Sequence, residues 1–192
     1  LDTTPIRIAN GALIGNFTRT RPPRPALTCR EKIRRPETGP VRISTAAFVL
    51  FNRMFTAQKV YRDDYLPNYP DTLPLSYAMF LAHEMTHVWQ WQNREITGYH
   101  PLKAAAEHRP GGDPYLFDLG ETRDFLSFEY EQQGGIVEEF VCCRALDPDG
   151  GRTQRLFDLL RPHFPDLARR GETPPNAVSL RWDGAQTHGI CA

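Results

Sequence analysis

The sequence carries no surplus charge of either sign, with 23 Lys and Arg against 23 Asp and Glu. A balanced chain has no field to draw in nucleic acid or an anionic membrane, so neither is an expected partner. It also has no run near the ~18 apolar residues of a membrane-spanning helix; stretches such as Ala46–Phe51 are core-sized. Cysteine is sparse, and no C-x-x-C spacing occurs, which argues against a cysteine zinc site. Cys142 and Cys143 are adjacent and cannot easily close an unstrained disulfide on each other. Cys29 and Cys191 lie near opposite ends, and a disulfide through either is allowed but not required. The N-terminal stretch shows no basic, apolar and small-residue succession of a signal peptide. Internal repeats and low-complexity segments are missing too.

What is present is ordinary globular material, 40% hydrophobic and 24% charged over 192 residues. That length builds one domain with a real core. Residues 1–40 hold Pro5, Pro22, Pro23, Pro25, Pro36 and Pro40, which remove backbone donors and restrict their neighbours. They read as an extended arm wrapping the outside, with at most a short strand at Ile6–Ala9. The basic runs Arg19, Arg21, Arg24 and Arg30, Lys32, Arg34, Arg35 read as its solvated charge. Val41–Phe51 suits a strand, and Tyr61–Pro74 a loop. From Ser76 to Arg94 there is no Gly or Pro, and Tyr77, Phe80, Leu81, Glu84, Val88 and Trp91 recur at helical steps. A loop is expected over Pro101–Gly120. A second helix is expected from Glu121 or Phe125 to Leu146, then a third at Arg152–Leu160. The expected fold class is α+β: a single, mostly helical domain at 41–165 with a short sheet, and an irregular tail at 166–192 packed on it.

Residues 83–87 read His-Glu-Met-Thr-His. Positions i and i+4 share a helix face, so His83 and His87 can aim their rings at one metal ion. Glu84 lies about 100° around the helix, where its carboxylate can take the proton of a water that zinc polarises. Chance yields this pattern on the order of once per hundred chains, and here it has apolar flanks, Phe80 and Leu81 before it and Val88 and Trp89 after.

A catalytic zinc needs a third protein ligand. The metzincin extension would need Gly at 90 and His at 93, and the chain has Gln90 and Asn93. The later helix offers Glu121, Asp124, Glu129, Glu131, Glu138 and Glu139. Glu131 and Glu138 share a face two turns apart; one can bind zinc while the other orients a histidine. Gly134 and Gly135 weaken the helix by roughly 1 kcal/mol each relative to Ala, which suggests a close helix–helix approach beside Glu131. Glu131 is therefore the expected ligand, with Glu129 and Glu139 on a solvated face. The Gly120-x-x-x-Asp124 spacing is a weaker alternative. Tyr99, His100, His108, Tyr115 and Tyr130 are candidates to stabilise an oxyanion.

The block His83-Glu-Met-Thr-His-Val-Trp-Gln90, followed by Tyr130-Glu-Gln-Gln-Gly-Gly-Ile-Val-Glu-Glu-Phe140, resembles the small bacterial zincin-like domains described as Vgr-related. These are associated with contractile injection and type VI secretion. In them a Glu-Gln-Gln-Ala block carries the third ligand of a gluzincin; Glu131 matches its glutamate, and Gly134 replaces the alanine. Arg24-Pro-Ala-Leu and Tyr61-Arg-Asp-Asp-Tyr65 are also similar, so the resemblance spans roughly residues 22–146 and is sharp in the two helices. It implies a zinc metallopeptidase, Zn2+ as cofactor, a peptide or protein substrate, and secretion-system components or an inhibitor protein as partners. A catalytically silent module of an injection apparatus is the alternative. Localisation stays open between the cytoplasm and export by a bacterial route without a signal peptide. One departure stands out: where gluzincins commonly place an aspartate four residues after the ligand glutamate, this chain has Gly135.

Overall fold

The computed structural model describes residues 1–11, 18–109, 112–120 and 124–192; Glu121, Pro110 and Gly111 lie outside them. Along the described chain come β1 (Arg7–Asn10), β2 (Thr18–Arg21), α1 (Cys29–Lys32), β3 (Val41–Ser44), β4 (Ala47–Leu50) and β5 (Arg53–Thr56). Then follow β6 (Leu73–Pro74), α2 (Leu75–Gln92), α3 (Arg94–Thr97), α4 (Pro101–Ala106), α5 (Tyr130–Leu146), α6 (Gly151–Leu160) and β7 (Val178–Ser179). The class is mixed α and β, but the sheet is divided among three small pieces. β1, β5 and β4 form one, in that order, with β1 parallel and β4 antiparallel to β5; β2 pairs antiparallel with β3, and β6 parallel with β7.

Helix α2 is the centre of the molecule. On one side Val88 packs with Val49, Met54 and Tyr65 beneath the three-stranded sheet. On the other, Leu75, Ala78, Met79 and Trp89 join Ile136, Phe140 and Leu156 in the larger core. A helix covered on two sides is apolar over most of its circumference, which is why the expected face of Tyr77, Phe80 and Leu81 describes only the sheet side. Each fully buried Leu, Ile or Phe contributes about 1.5–3 kcal/mol, and α5 supplies Ile136 and Phe140 to this layer.

Element boundaries moved where local hydrogen bonding outweighed periodicity. Asp124 accepts from Leu126 N at 2.7 Å and turns the chain through a single 3-10 turn at Phe125–Ser127. The second long helix then starts at Tyr130, where Glu129 and Gln132 close a capping box. Helix α4 was expected to be loop. Its signal was there: proline at the first helical position, capped by His100, then three alanines.

The arm lies mostly at the surface, but it is anchored inside at a few residues. Cys29, Arg30 and Ile33 are buried, and Cys29 is disulfide-bonded to Cys142, while Cys143 is bonded to Cys191. The adjacent cysteines of α5 thus hold the N-terminal arm and the C-terminal tail against one helix. The basic runs are likewise not all solvated, since Arg21 and Arg30 are buried with acidic partners. Glu139, expected on a solvated face, is fully buried. Its carboxylate accepts from Cys29 N at 2.9 Å, Arg30 N at 3.1 Å and Arg152 Nε at 2.6 Å. Breaking a buried, hydrogen-bonded charge pair leaves the partner charge uncompensated, at a cost of about 3–5 kcal/mol. Glu139→Ala should therefore lower the unfolding free energy by about that amount in urea titrations, with zinc binding per folded molecule unchanged. A variant as stable as the native chain would show that water satisfies these donors.

Candidate metal centre

His83 and His87 descend from one face of α2, and Glu131 rises from the first turn of α5; all three are buried. Their inward atoms form a small triangle. His83 Nε2 lies 3.2 Å from His87 Nε2 and 3.2 Å from Glu131 Oε2, and His87 Nε2 lies 3.5 Å from Glu131 Oε2. A tetrahedral zinc bound at about 2.0–2.1 Å spaces its ligand atoms about 3.3 Å apart. The triangle matches that edge on all three sides, with two nitrogens and one oxygen as donors. The residues therefore fit a zinc ion.

Each ligand is aimed by a neighbour. His87 Nδ1 donates to Gln90 Oε1 at 2.8 Å, which leaves Nε2 for metal. The Gln90 amide donates in turn to Tyr130 O at 3.1 Å and Gln133 Oε1 at 2.9 Å, and Gln133 Nε2 to Phe128 O at 2.8 Å. This chain of buried amides bridges α2 and α5 and fixes the ring. His83 is held by contact: a Cβ added to Gly134 would lie 2.6 Å from its Cε1. The close approach inferred from the two glycines is therefore made by an imidazole at Gly134. At Gly135 it is made by Arg30, whose Nη1 would lie 2.9 Å from an added Cβ. Glu138 Oε2 stands 3.7 Å from His83 Nδ1 and accepts from Arg30 Nη1 at 2.9 Å. It acts on His83 through its charge, being too far for a hydrogen bond.

Glu131 is fixed at both ends. The Glu107 carboxylate accepts from the backbone N–H groups of Tyr130 and Glu131, both at 2.9 Å, closing the first turn of α5. His108 Nε2 lies 3.0 Å from Glu131 Oε1, the oxygen turned away from the triangle. Sequence reasoning considered His108 only as an oxyanion donor and missed Glu107, Gln90 and Gln133. Of these, Gln90 had a faint signal, as a polar residue three past His87 on the same helix face, whereas Gln133, two past Glu131, does not share that ligand's face.

The field here is negative. Burial disfavours protonated His83, but Glu131 and Glu138 outweigh it and raise its pKa well above that of free imidazole. Burial pushes Glu131 up, yet His87, His108 and His83 hold it well below the usual carboxylate range. Burial also pushes Glu138 up, and His83 and Arg30 overcome this, holding it at about 2. A site that draws protons onto two imidazoles draws a divalent cation by the same charges. Glu84 differs: it is buried, and desolvation is the main reason its carboxyl is raised.

Other candidates separate. Tyr130 donates its hydroxyl to Thr97 O at 3.3 Å and Gly98 O at 2.9 Å, and exposed His100 caps α4. Tyr99 stacks on His87 with centroids 6.0 Å apart, and Tyr115 lies 5.5 Å from the His83 ring and 5.8 Å from that of His108. Burial holds the Tyr115 hydroxyl protonated far above neutral pH, with Glu131 and Glu84 adding to the effect. Asp124 pairs with His163 at 3.2 Å and is not among the clustered ligand atoms, and Glu129 caps α5. Against known proteins, the chain matches no family model, no curated protein and no solved structure.

Proposed function

We propose that this chain is a zinc-dependent metallopeptidase with a zincin-like, gluzincin-type site, acting as an effector or processing enzyme on a peptide or protein. The observation that supports it is the His83–His87–Glu131 triangle with a buried, unligated glutamate next to the first histidine. A zinc ion held there supplies Lewis acidity, polarising water and a substrate carbonyl. His83, His87 and Glu131 hold and orient it. The Glu84 carboxylate, raised toward neutrality by burial, takes a proton from water at one oxygen and returns it to the leaving amine. Tyr115, whose ring lies 5.5 Å from that of His83, carries a protonated hydroxyl, the kind of donor suited to the oxygen of the scissile carbonyl as it gains charge. The two disulfides suit a protein that folds in oxidising surroundings.

Elemental analysis after gentle purification should find roughly one zinc per chain, and a mixed peptide library should be cleaved, with cleavage abolished by chelation and restored by zinc. Protein that is metal-free and refuses added zinc would sink the site. Zinc-loaded protein that cuts nothing would favour the silent structural module of an injection apparatus.

A further inference from the structure

Strand β2 carries Arg19, whose side chain reaches the Tyr115 ring beside the centre. In its ribbon with β3, Arg19 lies opposite Ile43 and Arg21 opposite Val41. Residues two apart on a strand share a face, and Arg19 and Arg21 are the covered residues of β2 while Thr18 and Thr20 are exposed. Three nearby arginines have carboxylate partners: Arg21 with Glu37 at 2.7 Å, Arg24 with Asp113 at 2.6 Å, and Arg30 with Glu138 at 2.9 Å. Arg19 has no such partner among the described residues, and its Nη1 is buried without a hydrogen bond. Buried N–H groups are nearly always paired, so the Nη1 end of this half-buried guanidinium is short of an acceptor that something else can bring.

The position of Arg19 says what that acceptor belongs to. Its guanidinium sits over the Tyr115 ring, 6.0 Å from the centroid, and the same ring lies 5.5 Å from the ring of His83. Arg19 is therefore within about 12 Å of His83, the span of three to four extended residues. The geometry points to Arg19 as a specificity-determining residue that takes a carboxylate of the peptide being cut, in paired charge-assisted hydrogen bonds. This rests on the peptidase reading above. The carboxylate is either the substrate's free C-terminus or an Asp or Glu side chain within three or four residues of the scissile bond.

Binding to zinc-loaded Glu84→Gln protein tests this without relying on hydrolysis. Calorimetry would compare acetyl-tetraalanine as the free acid, the same peptide as its amide, and acetyl-Ala-Ala-Glu-Ala amide. At least one carboxylate peptide should bind about tenfold or more tighter than the neutral amide. The free acid winning identifies the C-terminus; the glutamyl peptide winning identifies a side chain. Adding Arg19→Gln should remove the advantage and leave zinc content unchanged and Tm equal or higher. Adding Arg42→Gln instead, at an exposed position where the Arg42 side chain bonds only the Thr18 hydroxyl among the described residues, should retain the advantage. Equal binding of all three peptides, binding of none, or an advantage that survives Arg19→Gln overturns the inference. So does loss of zinc or of Tm in Arg19→Gln, which would make the residue structural. The peptidase reading fails on a different result, a zinc-loaded native protein that cleaves no peptide.

Discussion

Glu84→Gln should keep its zinc and lose about 10²–10⁴-fold in kcat, the usual weight of a positioned general acid–base. The substitution preserves volume and the ability to accept a hydrogen bond, and removes only the ability to take a proton at neutral pH. Glu84 is buried on α2 one residue past the first ligand, so the fold and the donor triangle have no reason to change. The measurement is cleavage of one peptide library by native and variant protein at matched zinc content. His83→Ala provides the contrast, since it should lose zinc together with activity. Equal cleavage by native and Glu84→Gln would mean that another group is the base.

Glu131→Ala should cost more zinc affinity than the about 10–100-fold typical of removing a group that merely orients a ligand, because it deletes one of three donors. Glu138→Gln and Gln90→Leu, which act beside the histidine rings, should fall within that smaller range. Gly134→Ala is the sharper test of the geometry. In a helix alone, alanine is better than glycine by about 1 kcal/mol. Here its methyl would lie 2.6 Å from His83 Cε1, so the imidazole, a side chain and not backbone, is the part that must shift. The variant should keep native stability within about 1 kcal/mol and still bind zinc far more weakly, read by competition with a chromogenic chelator. Full zinc affinity in Glu131→Ala with loss in Glu138→Ala would reassign the third ligand.

The residues legible from the sequence were those whose geometry is local. His83, Glu84 and His87 lie within five residues, and the helical repeat alone sets their directions. Glu131 was reachable because the two glycines that follow it cost the helix stability and so implied a neighbour pressed against it. The identity of that neighbour was not legible. It is an imidazole at one glycine and the guanidinium of Arg30 at the other, and which side chain fills a gap depends on where distant chain returns.

The same limit hid Glu139 and the cysteines. As a surface-like glutamate on a helix it gave no sign of α1 folding beneath it. Four cysteines admit three pairings, and the pairing found joins positions 113 and 48 residues apart. His108 meets Glu131 across a sequence separation of 23. Sequence determined the bodies of the three long helices and the shared direction of His83 and His87, because backbone periodicity acts over four or five residues. Tertiary structure alone decided what surrounds His83, His87 and Glu131, what the arm buries and where Arg19 comes to lie, because those contacts follow from the path of the chain through space.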